Sequence, residues 1–240
     1  MYGDVLNNKT KDLLLLIKQA RLTDRDFDIL SDAEKCRADA MTEGARPAFV
    51  TARASLRRLL GTILETDPKL LPLHQEGTGP VVLQTSNGEG PFYSVSHTGA
   101  AERSYVAVAA SSSVKVGVDI EQPDRDINWM RLAERRYHFG DLAMLKILDP
   151  RAGRQRFFEL WTLKEAILKL EHGKLMTYLA DVQIDMSHET PQLAANTPGG
   201  HESLDLKTKY LGDIDVMLGL ATTKPVNIEF AFDRPRAVFS

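Results

Sequence analysis

Two stretches of the chain carry charged side chains where a surface would not put them. Val116-Gly-Val-Asp-Ile-Glu121 has the alternation of a strand, so Asp119 and Glu121 share one face while Val118 and Ile120 take the other. Phe157-Phe-Glu-Leu-Trp-Thr-Leu-Lys-Glu-Ala-Ile-Leu-Lys169 reads as a helix, with Lys164, Glu165 and Lys169 set among apolar residues all round the wheel. A helix that is apolar on every side is buried. Buried charge requires a partner, a metal or a substrate. Glu165 and Lys169 also stand one helical turn apart, a spacing that in isolation is only an i,i+4 pair worth about 0.2–0.5 kcal/mol.

Other residues of chemical interest lie upstream. Ser96 and His97 close a probable strand, but adjacent strand residues point apart, which argues against a nucleophile and base acting on each other. Arg53 and Arg57 lie one turn apart on a helix, and Lys35 and Arg37 follow a capping-box sequence, Ser31-Asp-Ala-Glu34. Arg131, Arg135 and Arg136 form a basic cluster beside Trp129 and Met130. Each of these, taken singly, is equally an ordinary solvated or hydrogen-bonded residue.

The elements that would position them follow from periodicity. Phe49, Ala52, Leu56, Leu59, Leu60 and Ile63 recur at helical steps after Pro47. Phe92–His97 and Tyr105–Ala109 read as strands, with a turn at Asn87-Gly-Glu-Gly-Pro91 before them. One or two helices are expected over 127–148, and a long one over 157–171. Strands are expected at 182–185, 204–208, 216–220 and 228–232, with a surface loop at 191–202. Each half thus pairs a long helix with several strands. An α+β fold is expected, compatible with two similar halves, 1–114 and 115–240, each packing a long helix on a small sheet.

Composition limits the function. The chain has 240 residues, 43% hydrophobic and 26% charged, with a formal net charge of -3. That balance offers no global attraction to nucleic acid or to an anionic membrane, so any phosphate recognition must be local. The single cysteine, Cys36, excludes an intrachain disulfide and fits a reducing compartment. Leu13–Ile17, the longest purely aliphatic run, is far short of the roughly 20 residues that span a bilayer. With no secretory pattern at the N-terminus, a cytoplasmic location is expected.

Three separated motifs, Ser94-Val-Ser-His-Thr98, Val116-Gly-Val-Asp-Ile-Glu121 and Trp161-Thr-Leu-Lys-Glu-Ala-Ile-Leu-Lys169, together resemble the 4′-phosphopantetheinyl transferase superfamily, specifically its long, Sfp-type members. Upstream segments around Lys35 and Arg53 extend the likeness over about residues 30–222. That likeness implies a pseudo-twofold axis between the two halves and largely antiparallel sheets. The resemblance implies transfer of the phosphopantetheine arm of coenzyme A to a serine of an apo acyl or peptidyl carrier protein, with release of 3′,5′-ADP. It implies Mg²⁺, or Mn²⁺, on Asp119, Glu121 and Glu165, a cation type that favours carboxylate and phosphate oxygens. Glu165 is then the general base and Lys169 the group that neutralises the pyrophosphate. Lys35, Arg53, Ser96, His97, Lys164 and Lys169 are implied to hold coenzyme A, with Arg37 and Arg57 as weaker candidates. The basic cluster at 131–136 is a docking surface for an acidic carrier, or else a solvated face. A monomer without nucleic-acid or membrane partners is expected, and the carrier's pathway, whether polyketide, nonribosomal peptide or siderophore, stays open.

The chain departs from the family pattern at three places. Gly77-Thr-Gly-Pro80 lacks the usual basic residue, His172 and Lys174 replace glycines, and Asp141 is shifted from a family glutamate, so it is not assigned to the metal. A metal-dependent phosphohydrolase and a non-catalytic binding module are the competing readings.

Overall fold

The computed structural model describes residues 12–77, 79–84, 90–170, 179–194 and 204–233. In chain order the helices and strands are β1 (Leu13–Gln19), α1 (Asp24–Phe27), α2 (Asp32–Asp39), α3 (Arg46–Leu64), β2 (Leu73–His74), β3 (Val82–Leu83), β4 (Phe92–Thr98), β5 (Tyr105–Ser111), β6 (Val116–Glu121), α4 (Trp129–Arg136), α5 (Phe139–Lys146), α6 (Pro150–Leu170), β7 (Ile184–Asp185), β8 (Gln192–Leu193), β9 (Asp205–Leu211), β10 (Val216–Thr222) and β11 (Ile228–Asp233). Contacts divide the chain into two units, 1–114 with 226–240, and 115–225. The fold is α+β, with small, mainly antiparallel sheets.

The first unit holds a four-stranded sheet in the order β11-β1-β5-β4, antiparallel except where β1 runs parallel to β11. Leu13–Ile17, noted in the sequence only as an aliphatic run, is the body of β1, with Leu13, Leu15 and Ile17 buried in strict alternation. α3 packs on β5, closing a core of Leu56, Leu59, Leu60, Val108 and Ala110. Its apolar positions are those the periodicity predicts. The division at 114/115 assigned residues 228–232 to the second half; their pairing with β1 places them in the first unit. A strand's own alternation shows that it needs a neighbour but not which one, because the partner lies more than two hundred residues away in the chain.

The second unit is a three-stranded antiparallel sheet, β6-β10-β9, with α6 laid along β6 and β10. α6 begins at Pro150, seven residues before the expected start. The signal was the pair Asp149-Pro150: Asp149 Oδ1 accepts hydrogen bonds from Arg151 N (3.0 Å) and Ala152 N (3.1 Å), and proline suits the first helical position. Phe157, Phe158, Leu160, Leu163, Ile167 and Leu170 fill the core with Val182, Ile184, Leu206 and Met217. Of the expected strand at 182–185 only Ile184–Asp185 is strand, paired with Gln192–Leu193 inside the segment read as a loop. The rest of that loop from 195, the turn at 87–89, Thr78, His172, Gly173 and Lys174 lie outside the described residues. Among the described residues no helix is long and apolar enough to cross a membrane.

Candidate active site

β6 brings Gly117, Asp119 and Glu121 to one face, and in register beside them β10 presents Ala221, Gly219 and Met217. α6 covers that face. It does so at a separation that only glycine permits: a Cβ on Gly117 would collide with the carbonyl of Ala166, and one on Gly219 with the backbone of Thr162. The two glycines bracket Asp119, which lies beside Gly117 along β6 and opposite Gly219 across the ladder. The close approach therefore lays the turn of α6 from Thr162 to Lys169 against this carboxylate.

Lys169 Nζ lies 2.7 Å from Asp119 Oδ1 and 3.2 Å from the carbonyl oxygen of Val118, donating to both. Asp119 is 6% exposed. Burial raises the pKa of Glu165 above its ordinary value; Asp119 and Glu121 push it in the same direction, while Lys169 and Arg136 oppose them. Glu165 is thus within electrostatic reach of both strand carboxylates. Glu121 Oε2 pairs at 2.7 Å with Arg125, in the turn that follows β6. The structure thus brings Asp119, Glu121, Glu165 and Lys169 into one charged group, joined by two further cations, Arg125, which sequence reading missed, and Arg136. Arg136 belongs to the basic cluster read from the sequence as a carrier-docking surface or a solvated face. Among the described residues, no group of three or more His, Cys, Asp or Glu side chains is placed to hold a metal ion. The two oxygen donors of Asp119 and Glu121 still suit a hard cation, since Mg²⁺ is bound through one or two carboxylates plus phosphate and water.

Lys164 does not join this group. Its ammonium is 0% exposed and lies 2.7 Å from Asp141 Oδ2, also buried; it donates to the carbonyls of Leu179 (3.0 Å) and Val182, and stands 5.1 Å from the centre of the Tyr137 ring. Burial depresses its pKa and Asp141 counteracts that. These partners leave it no path to a substrate phosphate, so the expected coenzyme A contact gives way to a structural tie between α6, α5 and residues 179–182. Asp141, set aside as a metal ligand, is the counterion, and it also accepts from Ile184 N at 3.3 Å. Position 164 is adjacent to position 165, and the 100° step of a helix suffices to send the two side chains to different sides.

In the first unit a second charged group is built around Glu34. The Ser31–Glu34 capping box forms as predicted, Ser31 N donating to Glu34 Oε2 (2.9 Å) and Glu34 N to Ser31 Oγ (3.3 Å). The same carboxylate binds Arg57 Nε at 2.7 Å and lies 3.3 Å from Arg53 Nε. Arg57 is fully buried and donates to the carbonyls of Pro68 and Leu71, so it is structural. Arg53 donates to Gln75 Oε1 at 2.6 Å; burial lowers its pKa, Glu34 resists this, and Arg57 and Arg37 reinforce it. Arg37 and Arg53 both lie against the Phe49 ring, at 5.6 and 5.5 Å, and Lys35 stands 5.9 Å from the Phe27 ring. Arg37 also donates to the carbonyl of Gly77. On β4, Ser96 is buried and His97 exposed, the opposed directions that strand alternation requires.

α4 exposes Arg131, Arg135 and Arg136 and turns Trp129 inward, 6.0 Å from Phe157.

Residues 115–213 match the family model described as the 4′-phosphopantetheinyl transferase superfamily. A putative 4′-phosphopantetheinyl transferase of Synechocystis sp. is 28% identical over 142 residues, covering 59% of this chain and 56% of its own. The 4′-phosphopantetheinyl transferase HetI of Nostoc sp. is 26% identical over 156 residues, 64% of this chain and 63% of its own. The 4′-phosphopantetheinyl transferase AcpT of Escherichia coli is 32% identical over 82 residues, 34% of this chain and 40% of its own. The chain therefore spans less than two thirds of the first two relatives it matches. The matched stretch carries Asp119, Glu121, Glu165 and Lys169, the residues that the fold brings together, and it is over this stretch that the chain is similar to the 4′-phosphopantetheinyl transferase superfamily.

Proposed function

We propose that the protein transfers the 4′-phosphopantetheine group of coenzyme A to a serine hydroxyl of an apo acyl or peptidyl carrier protein. The serine oxygen forms a bond to the phosphorus bearing the pantetheine arm, the pyrophosphate bridge breaks, and 3′,5′-ADP leaves. The observation that carries this reading is the meeting of Glu165 and Lys169 from α6 with Asp119 and Glu121 from β6, in the part of the chain that matches the superfamily.

Glu165 is the proton acceptor for the serine. Its raised pKa supports this, because a base works best when its pKa approaches the working pH. Lys169, fixed by Asp119 and the Val118 carbonyl, presents a positive charge to the reacting pyrophosphate and the departing ADP. Asp119 and Glu121 are the residues that would hold Mg²⁺ or Mn²⁺, with Glu165 as the third carboxylate of the site; bound there, the cation would supply charge neutralisation for the phosphates. Phosphoryl transfer rests mainly on positioning and charge stabilisation, which suits so small a set of groups. Lys35, Arg53, Ser96 and His97 are proposed to hold the 3′-phosphate and adenosine end of coenzyme A. The partly buried Arg53, already anchored to Glu34 and Gln75, is the best organised of them. Each unit sets one long helix on a small sheet, which supports reading the two as versions of one motif.

The test is direct. The protein is incubated with coenzyme A, Mg²⁺ and several apo acyl and peptidyl carrier proteins, and the carriers are weighed by mass spectrometry. A gain of one phosphopantetheine that disappears in Glu165→Ala is the expected result. Coenzyme A binding without any gain points to a non-catalytic binding module, and nucleotide release without a carrier points to a phosphohydrolase; either outcome overturns the proposal.

A further inference from the structure

We propose that Arg125 is an internal competitor for the divalent cation at Glu121: its guanidinium occupies the carboxylate and must release it before the metal binds. This rests on the metal reading given above and adds a control to it.

The pair is built. Glu121 is the last residue of β6, and Arg125 N closes the following turn by donating to the carbonyl of Gln122 at 3.3 Å. The turn is clamped from α6, where Arg154 donates from Nε to the carbonyl of Pro123 (2.6 Å) and from Nη2 to that of Arg125, with its guanidinium 5.5 Å from the Phe158 ring. The backbone at position 125 is therefore held, and only the side chain remains to be ordered when Nη1 meets Glu121 Oε2 at 2.7 Å. Pre-ordering of this kind reduces the entropy lost on pairing.

The two cations at the strand carboxylates differ in how readily they can leave. Lys169 is held by both Asp119 and a backbone carbonyl. Arg125 is 47% exposed, and can exchange Glu121 for water by rotating its side chain. An exposed pair contributes about 0.2–1 kcal/mol, so the competition amounts to at most about a five-fold change in affinity by the rule of 1.4 kcal/mol per tenfold.

Mn²⁺ alone serves as the probe, titrated into the full chain at low salt without coenzyme A or carrier, with free Mn²⁺ followed by electron paramagnetic resonance. Arg125→Gln should tighten Mn²⁺ binding by about 1.4- to five-fold. Arg156→Gln removes the same charge elsewhere on this unit, where Arg156 pairs with Glu159 at 3.3 Å, and should change nothing. Glu121→Gln should weaken binding and abolish the gain from Arg125→Gln. Equal affinity in wild type and Arg125→Gln overturns the proposal while leaving the metal reading intact. So does an equal gain in the Glu121→Gln background, which would reflect only the general field. Failure of the wild-type protein to bind Mn²⁺ overturns the metal reading itself, and the competitor role falls with it.

Discussion

Lys169 on α6 donates a 2.7 Å charge-assisted hydrogen bond to Asp119 on β6, across a chain separation of fifty residues. That bond joins the helix to the strand at the point where both present carboxylates. It also fixes in place a cation whose side chain is 31% exposed. Replacing Lys169 by methionine keeps the apolar stem and removes the charge. Loss of one preorganised electrostatic group costs on the order of 10²–10³ in kcat, and steady-state kinetics with coenzyme A and a carrier should show it. Lys169→Arg should recover only part of that activity, because a planar guanidinium does not occupy the position of a compact ammonium. Full activity in Lys169→Met would remove this residue from the mechanism.

Glu165 links stability to pH in a direction opposite to that of an ordinary paired carboxylate. Its pKa in the folded protein is raised above the usual 4.5 by burial and by Asp119 and Glu121. The fold therefore favours the protonated form: that contribution is fully present below the unfolded pKa and is lost as pH rises through the folded one. At neutral pH the ionised side chain is a cost. Glu165→Gln should accordingly raise the melting temperature of the metal-free protein at pH 7, the gain shrinking toward pH 4, while carrier modification is lost. A melting temperature lower than wild type at pH 7, measured by calorimetry over that pH range, would contradict the account.

The glycines beneath α6 carry a steric prediction. Gly117→Ala and Gly219→Ala each insert a methyl group against helix backbone, which cannot turn aside as a side chain can. Overpacking of this kind costs about 1–3 kcal/mol. The shift also carries Glu165 and Lys169 away from Asp119, so denaturant midpoints and turnover should fall together. Gly212→Ala, where the added methyl meets only the edge of Tyr210 at 3.7 Å, is the control and should leave turnover unchanged.

The buried Lys164–Asp141 pair sets Lys164 apart from Lys169, the lysine proposed to act on the pyrophosphate. Asp141→Ala strands the ammonium in the core, and breaking a buried pair from one side costs roughly 3–5 kcal/mol. Lys164→Met combined with Asp141→Leu removes both charges and should be far closer to wild type in equilibrium unfolding. If Lys164 is purely a tie, the double variant keeps the wild-type KM for coenzyme A. A large rise in KM with unchanged stability would return Lys164 to the phosphate site.

Much of this protein is determined by the sequence alone. The alternation of Val116–Glu121 places Asp119 and Glu121 on one face, the steps of three and four produce α3, Ser31 and Glu34 close their capping box, and the misplaced charges of 157–169 mark a helix with work beyond packing. These are local consequences of backbone geometry and side-chain period, carried in a few consecutive residues. The tertiary structure decided what the period cannot encode. It gave β11 to β1, sent Lys164 to Asp141 rather than toward the site, made Glu34 the counterion of Arg53 and Arg57, and set Arg125 on Glu121 and Arg136 within reach of Glu165. The physical reason is common to all of these. A sequence announces that a charge or a strand edge needs a partner, but the partner is chosen by packing between segments distant in the chain, as where the close approach of α6 to its sheet over Gly117 and Gly219 sets Lys169 on Asp119.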